Sequence, residues 1–268
     1  MFPMLRPLLY MPNIRGKKGN RTMNQIAKLV AALSIPLLLA GCLLIPGKFE
    51  SQLRLMNDGT YVFTYNGQMQ LAEGDGNPMS PSSTDIADDA GESGNKDNEQ
   101  KTAAMRSIFG GAVPGDDEGL KKFATQLAKY DGWNKVEYVG NNLFEVEYMV
   151  SGNFDQMFAF PTIPGATMQF PFVQIIRRNG GELEISTPAM AGPGGLAGTV
   201  GPMPMSGSGK QKIQPIDGRF IIETDGEILS NNTADGYRSH GGIKKLQWKV
   251  DEESSIAGSP RAIVKLTR

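Results

Sequence analysis

The chain holds one cysteine, Cys42, and one histidine, His240, so its means of nucleophilic and metal chemistry are few. A thiolate can attack or ligate, but Cys42 ends the tetrad Leu39-Ala40-Gly41-Cys42 at the close of an apolar run over residues 29–39. His240 stands in Ser239-His240-Gly241-Gly242, with Asp225 and Asp235 near it in sequence. A Ser-His-Asp triad needs a positioned imidazole, and the chain has no Gly-x-Ser-x-Gly elbow to present a serine, so this Gly-rich turn reads as exposed and inert. One histidine cannot build an ordinary zinc site. Glu223 and Asp225 could serve acid–base work as a pair, although carboxylates beside a turn are ordinarily just solvated. Asp85, Asp88 and Asp89 lie close together, but without the central Gly and terminal Glu of a calcium loop. The expectation is no catalytic residue, no metal, no cofactor and no enzymatic activity.

Cys42 instead belongs to an address. From Met23, a short basic stretch with Lys28 precedes an 11-residue apolar run, and small residues precede the cysteine. That is the three-part layout of a secretory signal. A membrane-spanning helix needs about 20 apolar residues, so the run is not a stable anchor. Residues 1–22, with Arg6, Arg15, Lys17, Lys18 and Arg21, are either an extended basic region or lie before the true start; Met23 is taken as the start, with residues 1–41 as signal peptide. The tetrad resembles the lipobox of bacterial lipoproteins. The resemblance implies cleavage before Cys42, a diacylglycerol thioether on its sulfur, and N-acylation as an optional further step. Two acyl chains suffice for stable anchoring where one is marginal. Leu43, not Asp, follows the cysteine, which in diderm lipoproteins favours the periplasmic face of the outer membrane over inner-membrane retention. Residues 42–47 are then expected to be a lipidated tether.

Composition narrows the partners. Residues 1–41 hold six basic and no acidic residues, so the chain from Cys42 has 21 basic and 28 acidic residues. That balance argues against nucleic acid, whose phosphates need clustered Lys and Arg. With Cys42 lipidated no intrachain disulfide can form, and the fold must rest on its core. Residues 73–99 carry eight acidic residues and one Lys, which accounts for all the net charge. They are rich in Gly, Ser, Asp and Asn and read as a disordered insert. Residues 189–209 are an uncharged Gly/Pro/Met loop without a phosphate-loop pattern.

The remaining residues read as strands around one helix. Alternation predicts strands over 49–56 and 60–71 about an Asn57-Asp58-Gly59 turn, with a bulge at Asn66-Gly67. Leu120, Phe123, Ala124, Leu127 and Ala128 fall on one helical face, behind Asp116 and Asp117 and before Gly132; a shorter helix is predicted over 98–109. Hairpins are expected over 135–150 about Asn141-Asn142, and over 170–187 about Asn179-Gly180-Gly181. Strands follow over 219–224 and 227–229, with Asp225-Gly226 read as a hairpin turn between them, then over 243–250 and 262–266. Asn231-Asn232-Thr233 matches a glycosylation pattern and is read as chance. Residues 154–169, with Phe154, Met157, Phe158, Phe160, Ile163 and Met168, are too apolar for a solvated loop and too Pro-rich for a central strand. With Phe170 and Phe172 they either line the core or form an apolar lip. The expected fold class is α+β: a strongly curved, mainly antiparallel sheet packed on one principal helix, as a single domain over 48–268.

The order of lipobox, Asp58-Gly59-Thr60 turn, helix, hairpins, the 218–232 segment and the Trp248 strand is similar to the LppM-type lipoprotein domain. The acidic insert and the Gly/Pro/Met loop depart from it. The resemblance implies a membrane-tethered α+β domain with lipid or glycolipid binding as its activity. On the residues themselves, Phe154, Phe158, Phe160, Phe170 and Phe172 are the candidate ligand-binding set. The alternative is a structural lipoprotein that docks to an envelope protein complex.

Overall fold

The computed structural model describes residues 43–72, 110–155, 157–166, 170–191, 214–256 and 258–267. The expected signal peptide, the tetrad with Cys42, the acidic residues 73–99, the helix expected over 98–109, Met168 and most of the Gly/Pro/Met stretch lie outside these residues.

Two sheets face each other. The larger is built on β1 (Leu43–Leu55) and β2 (Thr60–Ala72). It is joined by β3 (Trp133–Gly140), β4 (Leu143–Asn153), β8 (Asp217–Thr224), β10 (Arg238–His240) and β11 (Ile243–Asp251). Its order is β10-β11-β8-β1-β2-β4-β3, antiparallel throughout except for the parallel β1–β8 pair. The smaller sheet is antiparallel, in the order β5-β6-β7-β12-β9. Its strands are β5 (Met157–Phe160), β6 (Val173–Arg177), β7 (Glu182–Ser186), β9 (Glu227–Asn231) and β12 (Arg261–Lys265). The single curved sheet expected from the sequence is therefore two open sheets. The larger is mixed in direction, and its inner face is covered mainly by the second sheet.

The period-2 pattern decides which residues meet. Cross-strand partners share a face, so Leu53 beside Phe63 and Ile222, and Ile222 beside Leu246, make one continuous apolar row across four strands. All four are fully buried. Opposite them stand Ile175, Ile185, Leu183 and Val264 of the smaller sheet, also fully buried. The outer face of the larger sheet carries charge: Arg54 pairs with Glu223 at 3.0 Å and Arg219 with Glu50 at 3.6 Å, each directly across the β1–β8 ladder.

The principal helix, α1 (Asp117–Leu127), packs against the β3–β4 side. The Asp116 carboxylate accepts the Gly119 N–H at 2.9 Å and so caps its first turn, where Asp117 and Glu118 also suit the dipole. Leu120, Phe123, Ala124 and Leu127 are its buried face, as the spacing predicts. A second, five-residue helix, α2 (Glu252–Ile256), was not legible in the apolar pattern. Its signal is polar: Asp251 and Ser254 exchange side-chain-to-backbone hydrogen bonds at 2.8 Å each, a reciprocal cap.

Two corrections bear on function. Residues 43–47, expected as a tether, are the first part of β1, with Leu43 to Pro46 paired residue for residue with β2 from Leu43 opposite Ala72. Ile45, Pro46 and Gly47 are buried. The register shifts between Pro46 and Phe49, opposite Gly67; there φ is +149°, and a β-carbon would lie 2.3 Å from the Lys48 carbonyl oxygen. Second, Asp225-Gly226 does not close a hairpin. β8 belongs to the larger sheet and β9 to the smaller, so the chain turns a corner between sheets at this point.

Candidate functional site

The aromatic set is brought together, and the rings pack on one another. Phe160, fully buried on the edge strand β5, has its ring 4.6 Å from Tyr148 and 5.0 Å from both Phe63 and Tyr65. Trp133 and Phe172 lie at 5.8 and 5.9 Å. Phe158 reaches Phe63 and Tyr61 at 5.0 and 5.5 Å, and Phe154 meets Tyr61 edge-on at 6.1 Å. Phe172 is fully buried, and Phe170 is half-buried against the same cluster. These centroid distances are those of ring–ring contacts. The five phenylalanines thus form part of the packing between the sheets. The cluster also pulls tyrosine chemistry away from solvent. Burial pushes the Tyr65 hydroxyl well above its ordinary value, with a smaller contribution from the Glu145 carboxylate, and the hydroxyl donates to the Gln68 carbonyl at 2.7 Å. Burial raises Tyr61 and Tyr148 as well.

An open cleft lies at the other side of the same segment. Phe123, Gln126, Leu127, Lys129 and Tyr130 from α1 and its C-terminal turn face Ile163 and Pro164, with Gly110 between, around about 400 Å³. Tyr130 is 51 % exposed although its ring is large and apolar. Ile163 is buried in the core and also borders the cleft. The sequence left Ile163 and Pro164 open between core lining and an apolar lip, and offered no helix wall. The available signal was Tyr130, an aromatic just past the end of an amphipathic helix and before Gly132. The floor is tight: a β-carbon on Gly110 would lie 2.8 Å from the Pro164 carbonyl oxygen. A second cleft, of about 380 Å³, is polar and lies on β7, β9 and β12, among Glu184, Ser230, Asn231, Asn232, Arg261, Ala262 and Ile263.

The residues considered for catalysis are placed in structural roles. The Glu223 carboxylate accepts from the Arg54 guanidinium at 3.0 Å on the outer face. Asp225 accepts the Asn57 N–H at 2.7 Å, while the Asn57 side chain donates to the Asp225 carbonyl at 3.2 Å and accepts from Thr267 N–H at 3.0 Å. Lys244 Nζ donates to the Gly226 carbonyl at 2.9 Å. Ser239 and His240 are exposed at the end of β10, in a hairpin with β11. The Asn231-Asn232-Thr233 tripeptide is a turn, with Asn231 Oδ1 accepting from the Thr233 N–H and hydroxyl. Asn232 links the sheets, its Oδ1 accepting from Trp248 Nε1 at 3.0 Å and Arg261 N–H at 2.8 Å. Among the described residues no group of three or more His, Cys, Asp or Glu side chains is placed to hold a metal, and no helix is long and apolar enough to cross a membrane. Asp85, Asp88 and Asp89 lie outside the described residues.

No protein-family model matches the chain, and no curated protein matches it in sequence. Among solved structures, the folded domain of LppM from Mycobacterium tuberculosis, determined by NMR, aligns over 84 % of this chain and 93 % of its own, at 14 % identity. The TM-score is 0.33, and a likeness of that degree carries no argument about function.

Proposed function

We propose that the protein is a lipid-anchored lipoprotein of the bacterial envelope whose double-sheet domain binds an apolar ligand, a lipid above all, and does no catalysis. The anchoring reading rests on the apolar run and the Leu39-Ala40-Gly41-Cys42 tetrad. The observation that carries the ligand reading is the cleft between α1 and Ile163-Pro164. Its walls are Phe123, Leu127, Tyr130, Ile163 and Pro164, and Lys129 lines it beside them. The lining is mixed, with Gln126 and Lys129 beside the apolar side chains; the apolar part suits a hydrocarbon chain, and the lysine suits an anionic headgroup. The structural roles of Glu223 and Asp225, and the exposed position of His240, support binding over acid–base chemistry.

Two experiments test this. Cys42→Ser should leave uncleaved precursor that takes up no labelled lipid; normal processing and labelling of that variant would overturn the anchoring. The same variant, purified and extracted with organic solvent, should release a non-covalent apolar molecule identifiable by mass spectrometry. Tyr130→Ala should carry several-fold less of it. A clean extract from the parent sinks the ligand reading.

A second reading has its own observation. Met157 and Ile176 face each other across the β5–β6 ladder on the outside of the smaller sheet, 66 % and 39 % exposed, and β5 is an edge strand. Such an edge can pair with a protein, which fits docking to an envelope complex. In-cell photocrosslinking from residue 157 to one stoichiometric protein would favour docking over the lipid reading.

A further inference from the structure

We infer that the folded domain rests directly on the bilayer, its lower rim within the headgroup layer. The inference rests on the lipid anchor at Cys42 and goes beyond it to the orientation of the domain. A six-residue flexible tether could span roughly 20 Å and lift a domain clear of the membrane. There is no such tether here. Leu43 is already in register with Ala72, and the next residues are laid down as buried strand. Consecutive α-carbons are about 3.8 Å apart, so Leu43, the first residue of β1, is one bond step from the acylated one.

The ladder shows what else lies at that level. Ile45 faces Gln70, and Gln70 faces Leu143. Leu71 N–H donates to the Asn142 carbonyl at 2.9 Å, the Asn142 side chain accepts the Gly115 N–H at 2.8 Å, and Gln70 Oε1 accepts the Gln214 N–H at 2.8 Å. The β3–β4 turn, the loop before α1 and the start of the 214–217 segment therefore all sit within about two residues of Leu43, roughly 7 Å of strand. The headgroup region on each side of the hydrocarbon core is about 5–8 Å deep. The rim's exposed residues Gly115, Asn141, Gln214 and Pro215 are uncharged, whereas Asp117 and Glu118 beside them are exposed, and the acidic 73–99 segment follows directly on Ala72, opposite Leu43. Nearby, Asp116 caps α1 and Asp117 accepts a hydrogen bond from the Tyr138 hydroxyl. The side-chain amides of Asn141 and Gln214 can hydrogen-bond phosphate and glycerol oxygens, and the covalent anchor, not surface charge, holds the rim there. The far end is set by the same ladders. Ser239 is level with Lys244, Thr224 and Leu55, about 40 Å along the strands from Leu43.

The full-length lipidated protein, reconstituted in phosphatidylcholine–phosphatidylglycerol vesicles, tests the orientation. With Cys42 as a thioether, Gln214→Cys or Ser239→Cys supplies the sole free thiol for a fluorophore. Nitroxide on the lipid headgroups should quench the label at 214 at least several-fold more than the label at 239. Twelve Gly/Ser residues inserted between Cys42 and Leu43 should bring the quenching at 214 down toward that at 239. Equal quenching at the two sites, or quenching at 214 that ignores the insertion, overturns the apposition. Intact mass separates the two readings: a protein that lacks the diacylglycerol adduct fails both, whereas a lipidated protein with equal quenching fails the apposition alone.

Discussion

The two sheets are joined in two different ways. On the β5 side the joint is made of rings: Phe160 enters a cage of Phe63, Tyr65, Trp133, Tyr148 and Phe172. On the β9 side it is made of hydrogen bonds. There the chain itself crosses from β8 to β9 through Asp225-Gly226, and Asn57, Thr267, Lys244 and Asn232 tie the corner to β1, β11 and β12. Ring packing supplies most of the burial energy and tolerates small shifts, because dispersion and area burial have little directionality. The polar corner contributes less per contact, but each donor must meet its own acceptor, so it fixes how one sheet is set on the other.

Substitutions at the two joints should differ in size. Phe160→Ala should have the largest effect, about 3–5 kcal/mol of unfolding free energy, because it removes a fully buried ring from the centre of its contacts. Chemical denaturation measures it, and a loss below about 1 kcal/mol would mean that the cage collapses easily. The same region should respond to alkali. A phenol whose pKa is raised in the fold favours the folded state fully below its unfolded value, near 10. That contribution is lost as pH rises from there toward the raised folded value. Tyr65 tyrosinate absorbance should therefore appear only as the protein unfolds, and Tyr65→Phe should shift the alkaline midpoint upward.

At the corner, Gly226→Ala should cost about 1–3 kcal/mol. Its β-carbon would lie 2.9 Å from the Lys265 carbonyl oxygen and 3.0 Å from a Val264 methyl, and a backbone oxygen on a ladder strand cannot easily retreat. Asn57→Ala should cost about 1–2 kcal/mol, because Thr267 N–H and the Asp225 carbonyl both lose a partner. Hydrogen exchange should show that loss concentrated in β9 and β12 instead of spread through the ring cage; a uniform loss would break the contrast between the joints. Smallest of all, Arg54→Ala should change stability by less than about 1 kcal/mol, since its pair with Glu223 is on the solvent face with the Arg54 side chain 55 % exposed.

Much of the larger sheet was legible because its strands are long and half-buried. Thirteen-residue β2 alternates Phe63, Tyr65, Met69 and Leu71 with polar neighbours, and the Asn141-Asn142 turn has positive φ at both residues, as its composition predicts. The smaller sheet was harder to read. β5 has four residues between Asp155 and Pro161, and its role as an edge strand depends on what it packs against. The Asp225-Gly226 pair looked like a hairpin turn; local sequence does not distinguish a turn back from a turn onto another sheet. Of the candidate site, the segment with Ile163 and Pro164 was legible as apolar, as core lining or as a lip, whereas the helix wall opposite needed the packing of α1. His240, Glu223 and Asp225 are groups that the sequence offered for chemistry. The structural roles of Glu223 and Asp225 depend on Arg54 and Asn57, nearly 170 residues away in sequence.

By itself the sequence determined the period and polarity of each long strand and the caps and face of α1. These are set by residues within a few positions of one another, where sterics and solvation act locally. Only the tertiary structure decided that residues 43–47 are strand and not tether, that two sheets share the core, and that Phe154, Phe158, Phe160 and Phe172 pack against rings of the larger sheet and its neighbours. Those outcomes depend on which distant segment supplies the other half of each contact, and β1 acquires its partners from β2 and from β8, more than 160 residues further along the chain.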